Sequence, residues 1–272
     1  MLHNFRGHFA VRTLLGLFTA SYILLSAFKS NRRQQNMREK ERAQRILQVL
    51  SKEFGVQEIS SSRADPFQAL IRTVLSQATN DRNRDRAYAN LTKKYKIEPE
   101  VLADADLREL EEAIRVGGLY RNKARKIREL SKTVCTEFHG SLGFIFSEPL
   151  EKSREMLMSI PGVGPKTADV VLLFVAKKPT VPVDTHVYRV SRRLGLAPLN
   201  AGYEGIRGSL EGLYQPSDYL AIHLLLITLG RRFCRARNPL HKLCPVCVLC
   251  PTAKREKREP DLHKLHGSRD YP

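Results

Sequence analysis

The amino-acid sequence predicts an all-α fold, and three observations support this prediction. Apolar residues recur at spacings of three and four along most of the chain, which is the period of one face of a helix. Alternating apolar and polar runs, the pattern of half-buried strands, are scarce. Several periodic segments are bounded by Asp, Pro or Gly, the residues that commonly begin and end helices. The hydrophobic fraction of 42% in 272 residues is sufficient for a buried core.

The predicted helices follow one another with short connections. Asp65 is predicted to cap the second helix, with Pro66 at its first position, where the missing N–H of proline removes no hydrogen bond. Gly117 and Gly118 are predicted to close the third helix. The apolar face of the fourth helix excludes Lys123. In chain order, the predicted helices cover Arg42–Phe54 before Gly55, the residues from Pro66, the residues from Asp104 or Asp106 to Ile114, Arg121–Phe138, Ser153–Ser159, Lys166–Ala176, the residues from Asp184, and the segment YLAIHLLLITLG.

The formal net charge of +18 predicts a polyanionic partner. Nucleic acid is the first candidate and an anionic membrane surface is the second, whereas a solvated basic surface is the alternative without a partner. The first 38 residues contain six basic residues and no Asp or Glu, so +12 remains on the rest of the chain. The positive charge therefore belongs to the body of the protein as well as to its N-terminal end.

Residues 1–36 form an N-terminal extension. Thr13–Phe28 is apolar, but it is shorter than the about 20 residues of an uninterrupted membrane span, and Arg12 bounds one end. A signal-anchor, an acid-free transit peptide and a sequence upstream of a true start at Met37 each account for this composition. We expect the extension to lie outside the fold, and organelle targeting and membrane anchoring both stay open.

The segment Ile160–Val171, IPGVGPKTADVV, joins a glycine-rich turn to the start of a helix. Gly162 and Gly164 have no side chains, so the backbone can approach a phosphate oxygen closely there. The following helix presents unpaired N–H groups and the positive end of its dipole. The segment is suited to holding a backbone phosphate without reading sequence, and a plain corner between two helices is the structural alternative.

Lys166 lies in the first turn of that helix. The helix dipole and partial burial both lower the pKa of an amine at this position, whereas a bound phosphate raises it. If the effects that lower the pKa prevail, a fraction of the Lys166 amine is neutral at physiological pH, and this neutral form attacks an electrophilic carbon. Otherwise, Lys166 is a phosphate-binding lysine.

Asp184, in VPVDTHVYRV, stands at the head of the next helical pattern. The extended segment before it spans about the length of the helix that begins at Lys166, so a reversal of direction brings Asp184 beside Lys166. Two roles are open for this carboxylate. It caps its own helix, or it transfers protons and stabilises a developing cation beside a reacting sugar.

Four of the five cysteines, Cys234, Cys244, Cys247 and Cys250, form the pattern C-x9-C-x2-C-x2-C. This clustering does not suit disulfides between distant loops, and it favours a metal centre in a reducing, intracellular setting. Four thiolates are the full ligand set of either a tetrahedral zinc ion or a 4Fe-4S cluster. Cys135 lies in a helical pattern far from the others and is predicted to be an inert buried thiol.

Taken in order, IPGVGPKTADVVL, VPVDTHVYRVSRRLGL, LGRRFC and the cysteine cluster resemble the endonuclease III family, base-excision DNA glycosylases of the helix-hairpin-helix superfamily. The similarity runs from about Glu39 to Pro251. It implies an enzyme that flips a damaged pyrimidine out of duplex DNA, displaces the base with an amine, and nicks the strand by β-elimination from the resulting Schiff base. It also implies Lys166 as the nucleophile and Asp184 as the catalytic carboxylate.

The resemblance further implies residues that contact DNA. Gln77, in VLSQATN, matches the residue that fills the space left by the flipped base, and Leu119, in GGLYRNKA, matches an apolar wedge against the opposite strand. The alternatives are a glutamine that only ends a helix and a leucine of the core. Gly162, Gly164 and Thr167 in the hairpin complete the predicted DNA contacts.

Two features depart from the family pattern. Asn80 stands where the family commonly has an acid, although Asp81 follows immediately. The gaps between the cysteines are nine, two and two residues, whereas the family has six, two and five. Because LGRRFC and ARNP resemble the family's approach to its cluster, we predict a structural 4Fe-4S cluster rather than zinc.

We predict two helical lobes that flank a DNA-binding cleft. The first lobe, 62–178, is a helical barrel that ends in the helix-hairpin-helix, and the second combines 37–61 with 179–253 and holds the iron-sulfur cluster. Residues 254–272 form a polar tail. We expect a monomer that acts on double-stranded DNA with damaged bases or abasic sites, inside the cell in the cytoplasm, nucleoid or nucleus, with no small-molecule cofactor beyond the cluster.

The predicted function is a bifunctional DNA glycosylase and AP lyase of base excision repair that removes oxidised pyrimidines. Two alternatives stay open: a glycosylase for mismatched or alkylated bases, and a noncatalytic helix-hairpin-helix DNA-binding protein. Retention of Lys166 argues against relatives that remove a base with water alone. The sequence does not identify the pocket residues that select the base.

Overall fold

The computed structural model of the protein describes residues 34–55 and 65–258, and these residues form helices and no strand. The all-α prediction is confirmed. Among these helices, none combines the length and the apolar character needed to cross a membrane. The helices are α1 (34–54), α2 (Pro66–Ser76), α3 (Asp81–Lys94), α4 (Pro99–Asp104), α5 (Leu107–Ile114), α6 (Tyr120–Phe138), α7 (Phe144–Ser147), α8 (Leu150–Ser159), α9 (Pro165–Phe174), α10 (Thr185–Arg193), α11 (Tyr203–Leu213), α12 (Tyr219–Arg232) and α13 (Pro251–Arg258).

The buried apolar side chains form two cores. The first core joins side chains of α2 to α9, and the second joins α1, residues 181–183, α10, α11, α12 and two of the clustered cysteines. Helix α9 contributes to both, since Leu172 packs in the first core and Leu173 in the second. We call the two groups of elements the first and second lobes. The exact residue boundaries given above for the lobes stay a prediction.

Several helix ends carry the predicted capping chemistry. The carboxylate of Asp65 accepts the N–H of Gln68 at 2.8 Å, and Pro66 follows it at the first position of α2. Asp106, rather than Asp104, caps α5 by accepting the N–H of Glu109 at 3.0 Å. Each carboxylate satisfies a backbone donor that the first turn of a helix leaves unpaired.

Some predicted boundaries are wrong by several residues. Helix α1 already includes residue 34, the first described residue, whereas the prediction started it at Arg42, and α8 begins at Leu150 instead of Ser153. The added turns are mostly polar, and Gln, Glu, Lys and Arg favour the helix without belonging to an apolar stripe. Helix α13 takes in the first residues of the predicted polar tail, with Ala253 buried against the second core. The predicted extension up to residue 33 and the tail beyond residue 258 lie outside the described residues.

A charge network around the buried Arg154 joins α8, α9 and α11. Arg154 Nε donates to Asp169 Oδ1 at 2.8 Å, and both side chains are buried. Arg154 Nη2 also donates to Glu204 Oε1, at 2.5 Å. Removing one member of a buried ion pair leaves an uncompensated charge, which costs much more than removing a surface pair.

We therefore expect Arg154→Met to lower the free energy of unfolding by about 3–5 kcal/mol, because the Asp169 carboxylate stays buried without its cation. Denaturant unfolding followed by circular dichroism measures the change. The matched control is Arg115→Met, since Arg115 pairs with Glu112 on the exposed surface of the first lobe. That variant is expected to lose less than about 1 kcal/mol. Equal losses in the two variants would contradict a structural role for the buried pair.

Candidate active site and cysteine cluster

The turn between α8 and α9 is held by two aliphatic side chains. Ile160 and Val163 are buried in the first core, and the N–H of Val163 donates to the carbonyl of Ile160 at 3.0 Å. Gly162 and Gly164 are exposed. Gly162 has a φ of +80°, a left-handed conformation that a residue with a side chain rarely adopts. The turn thus presents its two glycines to solvent while its aliphatic residues fix it to the lobe.

Three backbone donors of this turn remain open. The N–H groups of Gly162, Gly164 and Lys166 have no acceptor among the residues that the structure describes. An added Cβ at Gly164 would meet no atom within 4 Å, so the surface there is accessible. Open N–H groups at the start of a helix are suited to binding an anion.

Lys166 is the second residue of α9 and is partly buried. Burial lowers the pKa of its amine, and the negative charge of Asp184 acts in the opposite direction. At a given pH, burial therefore increases the neutral fraction of the amine. The two side chains that the sequence analysis singled out are close enough for their charges to interact.

Asp184 uses one carboxylate oxygen to cap α10. Its Oδ1 accepts the N–H groups of His186 at 2.9 Å and Val187 at 2.7 Å. Its Oδ2 has no hydrogen-bond partner within residues 34–55 and 65–258. The two roles left open for this residue are therefore compatible, because one oxygen fixes the carboxylate and the other stays available.

His223 packs behind the pair formed by Lys166 and Asp184. It is buried, its Nδ1 lies 2.8 Å from the carbonyl oxygen of Pro182, and burial lowers its pKa to about 4. Because a carbonyl only accepts, Nδ1 carries the proton of the neutral ring. His223 is thus a core histidine with one hydrogen bond to the backbone. Its proximity to Lys166 and Asp184 had no signal in the sequence.

Gln77 lies at the C-terminal end of α2, where its N–H donates to the carbonyl of Val74 at 3.2 Å. Its side-chain Oε1 accepts from Lys126 Nζ at 3.3 Å. The stem of Lys126 also lies against Gly162, with Cδ 3.3 Å from the position of an added Cβ. Lys126 thus connects the end of α2 to the hairpin, a contact that sequence reasoning missed.

Leu119 precedes α6 with a φ of +47° and is 60% exposed. The alternative of a core leucine is therefore wrong. A left-handed conformation is uncommon for leucine and persists where the surroundings fix the backbone. Its role as a wedge stays a prediction.

Lys123 holds this region together and corrects one prediction. The helical pattern excluded it from the apolar face, yet the structure buries it, with 2% of its surface exposed. Its ammonium donates to the carbonyls of Leu75 at 2.8 Å and Gly117 at 2.9 Å. These two hydrogen bonds compensate its burial and tie the helix end before Gln77 to the loop before Leu119.

Two further predicted positions have local structural roles. Thr167 is buried, and its N–H donates to the carbonyl of Gly164 at 2.9 Å, so it is not presented at the surface of the hairpin. Asn80 caps α3 by accepting the N–H of Asn83 at 2.9 Å. The acid that follows, Asp81, pairs with Arg231 of the second lobe at 2.9 Å. Asp81 thus forms an ion pair between the lobes.

The clustered cysteines all pack in or against the second core. Cys234 and Cys250 are buried, and Cys244 and Cys247 are partly buried and pack against the same core. Two successive turns connect the last three, since Cys247 N–H donates to Cys244 O at 3.1 Å and Cys250 N–H to Cys247 O at 3.2 Å. Burial raises the pKa of Cys244 to about 11, and the three other cysteines contribute to the increase.

These four thiols match a 4Fe-4S cluster in number and type, since such a cluster takes one thiolate on each iron. Within the described parts of the chain, no group of three or more His, Cys, Asp or Glu side chains is arranged to hold a single metal ion. Cys135 is partly buried rather than fully buried, and burial raises the pKa of its thiol.

Arginines fasten the cysteine loop to the rest of the second lobe. Arg189 Nε donates to Cys234 O at 2.9 Å, and Arg193 donates to Arg235 O at 2.6 Å and to Ala236 O at 3.1 Å. The outer edge of the loop is basic, since five basic side chains there are exposed. These side chains are Arg231, Arg232, Arg235, Arg237 and Lys242.

The chain is similar to proteins of known families. The sequence profile of the HhH-GPD superfamily base excision DNA repair proteins matches residues 71–216. Endonuclease III of Thermotoga maritima is 38% identical over 185 residues, which are 68% of this chain and 81% of the relative. Endonuclease III of Bacillus subtilis is 35% identical over 196 residues, which are 72% of this chain and 85% of the relative.

The chain is also similar to solved structures of DNA glycosylases. A trapped endonuclease III–DNA covalent intermediate has a TM-score of 0.70 and 33% identity, and the match covers 80% of this chain and 99% of that one. A thermostable thymine-DNA glycosylase, at 19% identity and a TM-score of 0.61, shares the fold. From the matched residues, the identity to these relatives and the shared fold, the chain belongs to the endonuclease III family within the HhH-GPD superfamily of base excision DNA repair proteins.

Proposed function

We propose that Lys166 is the nucleophile and Asp184 the catalytic carboxylate of a bifunctional DNA glycosylase and AP lyase of base excision repair. The observation that carries this proposal is the partly buried amine, with a lowered pKa, in the first turn of α9 and within the field of Asp184. The similar endonuclease III–DNA complex trapped as a covalent intermediate supports an amine that bonds to DNA. Family membership argues against the noncatalytic alternative.

The neutral Lys166 amine attacks C1′ of the flipped nucleotide, and the bond from C1′ to the base breaks, with the electron pair leaving on the base. Loss of the amine proton and opening of the sugar ring give a Schiff base between Nζ and C1′. Removal of a proton from C2′ then breaks the C3′–O bond and nicks the strand. Hydrolysis of the Schiff base releases the lysine.

Asp184 supports these steps through its two oxygens. Oδ1 is fixed by the N–H groups of His186 and Val187, so the carboxylate does not have to reorganise during the reaction. Oδ2, without a partner in the described parts of the chain, stabilises the positive charge that develops on the sugar and takes up a proton. His223 has its pKa lowered to about 4 and thus adds no positive charge at neutral pH.

The hairpin and two loops hold the DNA in this proposal. The open N–H groups at Gly162 and Gly164 bind a backbone phosphate, which aims Lys166 at the adjacent sugar. Gln77 fills the space of the flipped base, and exposed Leu119 wedges against the opposite strand. These contacts offset an unstacking cost of a few kcal/mol. Because these side chains all come from one chain, we propose a monomer that works with DNA inside the cell.

We propose oxidised pyrimidines as the substrate bases and a 4Fe-4S cluster as the resident cofactor. Cys234, Cys244, Cys247 and Cys250 would hold the cluster, which cross-links the loop that carries the basic edge. Its role is structural, and the steps above involve only Lys166, Asp184 and the DNA. Zinc is the alternative centre for the same thiolates, and it would draw all four sulfurs onto one ion.

Lys166→Gln is expected to abolish strand nicking and borohydride trapping on a duplex with one oxidised pyrimidine, because the amide is not a nucleophile. DNA affinity should stay within about threefold, since the hairpin amides are retained. Gel assays of nicking and of the covalent adduct measure both, with peptide mapping of the adduct. Exposed Lys152→Gln on α8 is the control and should leave activity unchanged.

Unchanged nicking by Lys166→Gln, or an adduct on another residue, would contradict the assignment. Duplexes with a mismatched thymine or an alkylated base test the substrate class in the same assay. Faster excision of either base than of the oxidised pyrimidine would replace the proposed substrate.

Asp184→Asn is expected to slow the single-turnover rate by about 10²-fold and to move its rising pH limb to lower pH. The carboxylate raises the pKa of Lys166, so its removal lowers that pKa and makes the amine neutral at lower pH. Asparagine still caps α10, which keeps the fold. Asp106→Asn, at the cap of α5, is the control. A limb that stays fixed or moves to higher pH would contradict the interaction between Asp184 and Lys166.

Cys244→Ala is expected to remove most of the iron and acid-labile sulfide from the purified protein, together with its visible absorption band, because each thiolate holds one iron. Elemental analysis and absorption spectroscopy make the measurement, and Cys135→Ala is the control outside the cluster. Zinc in place of iron and sulfide in the unsubstituted protein would favour the alternative metal.

A further inference from the structure

The hydroxyl of Tyr203 connects the two elements that carry Lys166 and Asp184. Tyr203 is the first residue of α11, and its O–H donates to Asp169 Oδ2 at 2.6 Å. The same oxygen accepts the N–H of Val183 at 3.3 Å. Asp169 follows Lys166 by about one helical turn, and Val183 directly precedes Asp184. One hydroxyl thus lies between helix α9 and the approach to the α10 cap.

The direction of these two hydrogen bonds is fixed. The Asp169 carboxylate is fully buried and accepts from Arg154 at 2.8 and 3.4 Å. Burial and the adjacent Asp169 raise the pKa of Tyr203 well above its usual range, so the hydroxyl keeps its proton. The proton points to the carboxylate, and a lone pair of the oxygen remains for the N–H of Val183.

The approach to Asp184 is held at successive backbone groups. Glu211 Oε1 accepts the N–H of Val181 at 3.1 Å, and the ring of His223 contacts the carbonyl of Pro182 at 2.8 Å. The N–H of Val183 is held by Tyr203. Glu211 and His223 belong to α11 and α12 of the second lobe, whereas the tie through Tyr203 also reaches α9, the helix of Lys166.

This connection bears on the chemistry because the separation of Lys166 and Asp184 sets their interaction. The influence of Asp184 on the pKa of Lys166 falls with distance, as does its stabilisation of a positive sugar. A misplacement of 1 Å is enough to cost about 10²-fold in rate in well-oriented active sites. The two hydrogen bonds of the Tyr203 hydroxyl connect Val183 to α9 and limit such movement.

We propose that Tyr203 is a positioning residue for the reaction, which holds the backbone before Asp184 at a set distance from the helix of Lys166. This inference rests on the proposed function of that pair. Tyr203 acts through Asp169 and Val183 and has no contact with substrate in the proposal.

Tyr203→Phe keeps the ring and removes the two hydrogen bonds, so it tests the connection directly. The expected result is a fall of about tenfold in the single-turnover rate, with DNA affinity within about twofold. The rising pH limb should move to lower pH, because Asp184 relaxes away from Lys166 and raises its pKa less. The single-turnover rates of Tyr203→Phe and of the unsubstituted protein are measured under conditions in which circular dichroism shows native helix content for both.

Tyr214→Phe is the matched control. Tyr214 directly follows α11, is buried, and donates its hydroxyl to the carbonyl of Ala43 at 3.2 Å, inside the second lobe. Its substitution removes one buried hydrogen bond that does not involve α9 or Val183. The rate and the pH limb should both match those of the unsubstituted protein.

A double-substitution cycle adds a readout that a purely structural role does not produce. If Tyr203 acts through Asp184, Tyr203→Phe should slow an Asp184→Asn background by less than about twofold, because coupled residues are not additive. Full additivity, or a Tyr203→Phe rate equal to that of Tyr214→Phe, would overturn the proposal. Absence of a borohydride adduct on the unsubstituted protein would overturn the proposed function instead, and the inference with it.

Discussion

The site depends on the balance between burial and charge at the Lys166 amine. Burial lowers the pKa of the amine, and Asp184 raises it. A lysine without burial would be almost wholly protonated at neutral pH, whereas a buried lysine without a carboxylate would lack a group to stabilise a positive sugar. Burial and Asp184 thus shift the pKa of the same amine in opposite directions, so that a neutral amine and a nearby carboxylate occur together.

Helix ends supply polar groups around Lys166 and Asp184. The start of α9 leaves N–H groups open beside Lys166, and the start of α10 takes up one oxygen of Asp184. At these positions the backbone N–H groups have no hydrogen-bond acceptor within their own helix. The arrangement explains how a structure of helices and turns holds the proposed site, since Lys166 lies in the first turn of α9 and Asp184 caps α10.

The site lies where the two cores adjoin. Adjacent residues of α9, Leu172 and Leu173, pack in different cores, so the helix that carries Lys166 contributes to both cores. The ion pairs near this junction differ in burial. The pair of Arg154 and Asp169 is buried, whereas the pair of Asp81 and Arg231 is exposed and contributes little. The relative position of the lobes near α9 is therefore fixed mainly by the buried network, in which Tyr203 takes part.

Local chemistry in the sequence determined the helical fold, the caps at Asp65 and Asp184 and the glycine turn, because periodicity and capping act over a few residues. The proposed roles of Lys166 and Asp184 came from the resemblance to the endonuclease III family. Helix α3 was missed, since its buried face consists of only Ala87 and Leu91. The tertiary structure decided the burial of Lys123 and Lys166, the meeting of Tyr203 with Asp169, and the proximity of His223 to the site. Burial and hydrogen bonds between distant segments depend on how helices pack, and no short stretch of sequence records that packing.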